Sequence, residues 1–531
     1  MHKRDWQMGG QMGWKRRLIQ VCMLVLSCLA GSMAQAQGPD HREQLLATIH
    51  VHSTASTGEL TIEALAQRAE QLGLDVLILT DNFSLRYEYG LWPLRGILKR
   101  QVRFPSVLEY GIERYLDEIA AAQSRHPKLI ILPGVEVAPY YYWTGSLVER
   151  NLTMHNAQRN LLVFGLTKPE DYRSLPASGN PGSYTLDWRG AANGAPILLV
   201  VPALLLWRPR RPASDRRSLR RSVACVLVVL AVALVANAWP LSQSAFSSYD
   251  DQLGYRPYQA LIDDVKEKGG LVFWSLAEAR DFHEIDAGLL GTVRIKTEPH
   301  PEAMLMTTGY TGFGGLYQEG RTSINPGELW DRLLHVSIVE RKPAPVLIGE
   351  LALHGLNDAD KDLHRLVTSL WVKERTKVGV LEALQSGHSY AAGDSHHHVQ
   401  LRLDEFRVVS QGGAKSASIG DRLDPGAARD LTVLLSIKAR DGGRHPVKVR
   451  VIRSGQVVAH WTGETPFHVD WLDEGVPTAE SMTYRVEVTG SGELLSNPIV
   501  VGPILETIAV SSQPSALSSG KMSTPKLKPD S

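Results

Sequence analysis

Cysteine is almost missing from this chain. Three occur among 531 residues, Cys22, Cys28 and Cys225, and each sits in a strongly apolar stretch. None is left for the polar-patterned remainder, so a disulfide framework is excluded there. Net charge is missing as well: 57 Lys and Arg stand against 56 Asp and Glu, a formal +1. Without a basic excess there is no bulk attraction for polyanions, and no nucleic-acid partner is expected. The length exceeds one ordinary domain and points to two or three.

Long apolar runs, in contrast, are present and placed with purpose. Residues 1–36 read as a signal peptide or N-terminal anchor: WKRR supplies positive charge, LIQVCMLVLSCLAG an apolar core, and SMAQAQ small residues for cleavage. A second apolar region, 191–241, reads as a transmembrane hairpin whose two runs flank RPRRPASDRRSLRR at 208–221. That linker carries seven arginines and one aspartate. Such a loop is expected on the cytoplasmic side, which places the sequence before and after the hairpin outside the cytoplasm. The lipid bilayer is therefore one expected partner.

Outside these runs the chain alternates short apolar strands with amphipathic helices. LLATIHVHS is followed by TIEALAQRAEQLG, whose apolar residues recur at helical spacing, and then by LDVLILTDN. The rhythm runs over 44–190 and resumes over 245–398, so one α/β domain interrupted by the hairpin is expected. From 399 to 505 the texture changes to short Val- and Thr-rich runs between Gly and Asp, the pattern of a small β-sandwich. The sequence names no protein partner for it. The tail 511–531 has no apolar periodicity and is expected to lack packed structure.

The chemistry-bearing residues sit at strand ends. His50 and His52, two apart on a strand, are expected on one face, where neutral imidazoles can share a divalent cation. Asp81 in TDN, Glu136 in PGVEV and Asp358 in GLNDAD add carboxylates at or just beyond strand ends. A mixed nitrogen and oxygen set of this kind suits zinc, manganese or iron. The bland alternative for each acid alone is a helix cap or a solvated loop. His396, His397 and His398 read as a solvated linker, and His283 lies on an expected helix.

HVHSTASTG, LTDN, PGVEV, GGLVFWS and GLNDAD with EALQSGHSYA, taken in order, resemble the motifs of the PHP family, the polymerase and histidinol phosphatase domain. The resemblance implies a distorted (β/α)7 barrel, interrupted here by the hairpin, that hydrolyses phosphoesters with up to three metal ions at its rim. Carried onto this chain, it implies metal ligation by His50, His52, Glu136 and Asp358, with His155 and Asp360 as further candidates. Four family positions depart: Thr57 replaces an acid, Asn82 and Leu276 replace histidines, and Asp360 replaces another. The losses fall on the second and third ions, so one metal is expected and at most two. Asp81 is the candidate for orienting water or acting as base, and His155 the other candidate catalytic group. The sequence therefore points to a membrane-anchored, extracytoplasmic phosphoesterase with a reduced metal site acting on a small phosphoester. The alternative is a catalytically impaired relative serving as a binding module in the envelope.

Overall fold

The computed structural model describes residues 42–503, apart from 148, 187, 209–215, 240, 287, 289–290, 318–320, 357–361, 395–398, 414 and 478–479. The expected leader, residues 209–215 of the arginine-rich loop and the tail lie outside the described residues, as do Asp358, Asp360 and His396, His397 and His398.

Local chemistry sets the elements. Thr61 caps helix Ile62–Gln71 by accepting the Ala64 N–H, and the helix buries Ile62, Leu65, Ala66 and Ala69 along one stripe. Helix Lys377–Ser386 ends at Gly387, whose φ of 75° is the left-handed conformation that closes helices. Between the helices lie short runs that are buried on both faces, as strands covered by helices must be.

These strands do not form one continuous seven-stranded ladder. In one sheet Ser389–Gly393, Leu366–Val372, Glu43–Val51, Val76–Leu79 and Ile130–Leu132 lie side by side. In another the order is Val346–Gly349, Gly312–Leu316, Leu271–Trp274, Leu161–Phe164, Gly134–Val137 and Asp81–Asn82. The chain crosses from the first sheet to the second at Thr80 and again at Pro133. Proline cannot donate to a ladder, so a break is natural at the second crossing. Pairing is also mixed. Glu43–Val51 runs parallel to Val76–Leu79, whereas Gly134–Val137 and Leu161–Phe164, joined without a crossover helix, are antiparallel.

The two sheets nevertheless share an interior. Alternate residues of seven strands converge there: Leu45, Ala47 and Ile49, then Val76 and Ile78, Ile130 and Leu132, Leu162 and Phe164, Leu271 and Phe273, Val346 and Ile348, Leu370 and Val372. The N–H groups of Leu351 and Leu353 donate to the carbonyls of Ile49 and His50, which ties the end of the second sheet to the start of the first. Just beyond this apolar interior, at strand ends, come His50, Glu136, Ser275 and Glu350.

The C-terminal region is strand-rich, with one four-stranded sheet of Ser416–Ser418, Leu401–Ser410, Leu431–Ala439 and Phe467–Asp473. Its remaining strands extend the first sheet. Glu493–Ser496 pairs antiparallel with Ser389–Gly393, with Tyr390 opposite Ser496, and Met482–Gly490 and Pro446–Arg453 continue outward. Two buried contacts reinforce the join. Asn497 accepts the Leu347 N–H and donates to the carbonyls of Leu347 and Ser389. Arg485 makes two bonds of 2.9 and 2.7 Å to Asp331 on helix Leu329–Glu340.

Among the described residues two helices are long and apolar enough to cross a membrane, Gly190–Trp207 and Ser218–Ala238. They leave most of their large apolar side chains exposed, while Ala203, Ala224 and Ala231 are buried. Small residues at a helix contact let backbones approach closely.

Candidate metal centre

His50, His52 and Glu136 are buried together, and each offers a ligand atom within 4.8 Å of the others. The meeting does not come from simple alternation. The pairing of Glu43–Val51 with Val76–Leu79 shifts register between Ile49 and Val51, and His50 has φ of 70°. His50 is thus the extra residue of a β-bulge in left-handed conformation, a strained state costing on the order of 1–3 kcal/mol for a non-glycine residue. The bulge re-aims the ring, leaving the two imidazole centroids 5.2 Å apart.

Each nitrogen of His50 faces a carboxylate. Nε2 lies 3.2 Å from Glu136 Oε1, and Nδ1 lies 3.0 Å from Glu350 Oε2. Burial alone would depress the His50 pKa, but the charge and hydrogen bonds of Glu136 and Glu350 reverse this and carry it to about 10. For Glu136, burial pushes upward while His50, His52 and His354 pull the carboxyl down to about 2. Without a metal, then, an imidazolium proton sits between His50 and Glu136 where a cation would sit.

His52 is in the opposite state. Burial, helped by the neighbouring His50 and His354, holds its pKa well below the ordinary value despite Glu136. Among the described residues neither buried ring nitrogen has a hydrogen-bond partner, and Nε2 lies 3.7 Å from Glu136 Oε2. A neutral imidazole left unpartnered beside a carboxylate is costly unless a cation takes its lone pair. Two histidine nitrogens and one carboxylate fit the three-ligand catalytic zinc pattern, with a position open to water.

The surrounding shell holds this set. Glu350 accepts from the Ser275 hydroxyl at 2.8 Å and the Leu276 N–H at 2.7 Å. Leu276 cannot ligate through its side chain, but its backbone orients the carboxylate that orients His50. Glu136 accepts the side-chain amides of Asn82 at 2.6 Å on one oxygen and Asn160 at 2.7 Å on the other. Thr57 donates to Asn82 Oδ1 at 2.8 Å and lies 2.9 Å from His354 Nδ1. The His354 ring stacks on His52 with centroids 4.1 Å apart.

Asp81 and His155 lie outside the His50, His52 and Glu136 group. Asp81 is fully buried and accepts the Ser53 N–H at 2.7 Å, the Ser53 hydroxyl at 2.9 Å and the Ser56 hydroxyl at 2.6 Å. Its oxygens are spent on pinning the turn after His52, and burial raises its pKa in spite of these bonds. His155 belongs to another sheet, where it bonds Thr144 at 2.8 Å and stacks on Tyr142. It is not in the His50, His52 and Glu136 group. Asn160, after that strand, reaches Glu136 instead. His283 lies on strand Asp281–Asp286, where a helix was expected.

Glu350, His354, Asn160 and Ser275 are site residues that sequence reasoning passed over. A signal existed for the first two: GELALHG closes a buried strand with an acid and a histidine four apart, as HVHS does with its histidines.

Beside Thr57 opens a cleft of about 470 Å³, walled mainly by Leu85, Tyr87, Phe104, Met154, Ile285 and Ile295.

Residues 48–174 match the family model of the PHP domain. Among solved structures, similarity extends to a two-domain protein from Bacteroides vulgatus containing a predicted PHP-like metal-dependent phosphoesterase, at 11% identity and TM-score 0.36, covering 88% of this chain and 98% of that one. It also extends to an amidohydrolase from Chromobacterium violaceum, at 17% identity and TM-score 0.26, covering 59% of this chain and 88% of that one. No curated protein matches the chain in sequence.

Proposed function

We propose that this chain, which carries a PHP domain over residues 48–174, is a membrane-anchored, extracytoplasmic phosphoesterase that works with one divalent cation, zinc, manganese or iron. The observation that carries the reading is the buried His50, His52 and Glu136 group, in which His52 has, among the described residues, no hydrogen-bond partner for either ring nitrogen. A scaffold without a metal has no use for that arrangement.

His50 Nε2, His52 and Glu136 would hold the ion. When bound, it supplies Lewis acidity toward a phosphoryl oxygen and makes a water acidic enough to attack near neutral pH. The chain's own residues do the rest. Glu350 keeps the His50 proton on Nδ1, so that Nε2 presents its lone pair inward. Asp81 acts as a positioning residue by fixing the turn that follows His52. His354, stacked on His52 and exposed, is placed to pass a proton to the departing oxygen. The apolar cleft beside Thr57 receives the organic part of the ester and excludes water from it.

Amide donation supports the count of one ion. Asn82 and Asn160 place N–H groups on Glu136 at positions where a second cation would need lone pairs. The same two amides favour a second reading, a metal-holding binding module without turnover. The leader and the arginine-rich loop support the extracytoplasmic placement.

Metal analysis of the full chain purified in detergent, with hydrolysis of 1-naphthyl phosphate by this protein and by His50→Ala/His52→Ala, separates the readings. Metal and turnover lost together in the double variant support the enzyme. Metal lost with no turnover in either protein leaves the binding module. A protein that retains no metal sinks both.

A further inference from the structure

The β-hairpin formed by Arg86–Gly90 and Lys99–Arg103 ends in a tip that carries large apolar side chains into solvent: Leu91, Trp92, Ile97 and Leu98 are 44, 79, 45 and 51% exposed. A patch of that kind on one tight loop marks an interaction site. What it meets follows from what holds it.

The tip is bound to the end of helix Ser218–Ala238. The Gly96 N–H donates to Asn237 Oδ1 at 2.8 Å, and Asn237 Nδ2 donates to the Pro93 carbonyl at 3.3 Å. The approach is so close that a Cβ on Gly96 would stand 1.9 Å from the Asn237 carbonyl oxygen, so only glycine fits. Tyr249, downstream of the helix, clamps the other side: its hydroxyl accepts the Gly90 N–H at 2.6 Å, and its ring lies 3.7 Å from the Arg95 guanidinium. The depth of the tip is therefore tied to the depth of the helix terminus.

That terminus coincides with the entry of the first apolar segment. Thr185 and Gln243 exchange backbone hydrogen bonds of 3.2 Å, so the chain enters and leaves at one level. Trp188 and Trp239 flank the two segments there, 75 and 69% exposed. Tryptophans at both ends of apolar spans occupy the headgroup layer, where an apolar ring with one N–H is best solvated. Trp92 joins them; of the two basic residues that follow the tip, Lys99 pairs with Glu88 on the opposite strand at 3.0 Å, so the apolar side chains are what the tip offers to the interface.

We propose that the loop 91–98 is a second membrane contact, inserted into the interfacial layer of the leaflet from which the helical hairpin emerges. The proposal rests on the membrane reading above. It gives the protein a two-point seat, and a pair of helices alone would leave the domain free to swivel. The hairpin's base supplies Tyr87, and the residue after it Phe104, to the wall of the apolar cleft, so the seat also fixes how the cleft faces the bilayer.

The test uses the full chain in lipid nanodiscs, with the native cysteines replaced and one nitroxide label at a time. The label sites are Ile97→Cys, which keeps Trp92; Val229→Cys in the middle of the second helix; and Leu472→Cys on a distant strand. Power saturation compares accessibility to oxygen and to a water-soluble nickel chelate. The proposal expects the oxygen-to-chelate ratio at 97 to be several-fold above that at 472 and below that at 229. A label at 97 as aqueous as the one at 472, with 229 in hydrocarbon, overturns the proposal and leaves the anchor intact. An aqueous label at 229 overturns the membrane reading and the proposal together.

Discussion

Exchanging Glu350 for glutamine alters one atom in the buried shell and moves a proton in the metal site. As a carboxylate, Glu350 accepts from His50 Nδ1 at 3.0 Å, the Ser275 hydroxyl at 2.8 Å and the Leu276 N–H at 2.7 Å. A glutamine has two ways to sit there. With its oxygen toward Leu276, its amide N–H points at His50 Nδ1, which must then accept. The imidazole proton moves to Nε2 and occupies the lone pair that a metal needs. With the amide reversed, the Leu276 N–H is left facing another donor in a buried place, at about 1–3 kcal/mol. The first arrangement should prevail. Loss of such an orienting partner typically lowers metal affinity 10–100-fold, or about 1.4–2.7 kcal/mol. Zinc competition against a chromophoric chelator measures the loss, and thermal melting of the metal-free variant checks that it folds. An affinity within about twofold of the parent in a folded variant would refute the reasoning, because His50 would not then depend on Glu350.

The remaining predictions concern charge, position, architecture and substrate. His50 is raised from 6.5 to about 10, so its contribution to the metal-free protein is complete below pH 6.5 and lost as pH rises toward 10. Glu136 is lowered from 4.5 to about 2, so its contribution is complete above pH 4.5 and lost as pH falls toward 2. Melting in EDTA should accordingly show Tm falling between pH 6.5 and 10, and zinc uptake should release about one proton from His50 near neutrality; a flat profile would contradict both. Asp81→Ala strands the donors of Ser53 and Ser56, should cost on the order of 1–3 kcal/mol in urea unfolding, and should weaken metal binding by freeing the turn after His52. Arg485→Met leaves the Asp331 carboxylate buried without a counter-ion, with only the Gly327 N–H donating to it, and should lower stability to urea by about 3–5 kcal/mol. Phe104→Lys should raise KM for aryl phosphates several-fold and leave small alkyl phosphates unaffected, because it alters the cleft wall and not the ligands.

Local pattern carried a good deal of this structure. His50, His52 and Glu136 were readable because each follows an apolar run buried on both faces, where a polar residue has few reasons to stand. The paired apolar helices were readable from length and composition alone. Other features resisted for physical reasons. Alternation along a strand brings residues two apart to one face, yet His50 reaches the site through a bulge, which depends on the register of pairing with the next strand, Val76–Leu79. His155 stood near the expected position, but register placed it in a different sheet, and Asn160 took the place beside Glu136.

The order of apolar and polar runs was enough to determine that the chain builds buried strands with chemistry at their ends, and that part of it suits a bilayer. Tertiary structure alone decided which polar residues meet. Glu350 lies 300 positions from His50 and Asn497 lies 150 from Leu347, and both contacts exist only after the sheets have closed. Distant side chains acquire a partner through packing and register. Neither is written in the residues that flank them.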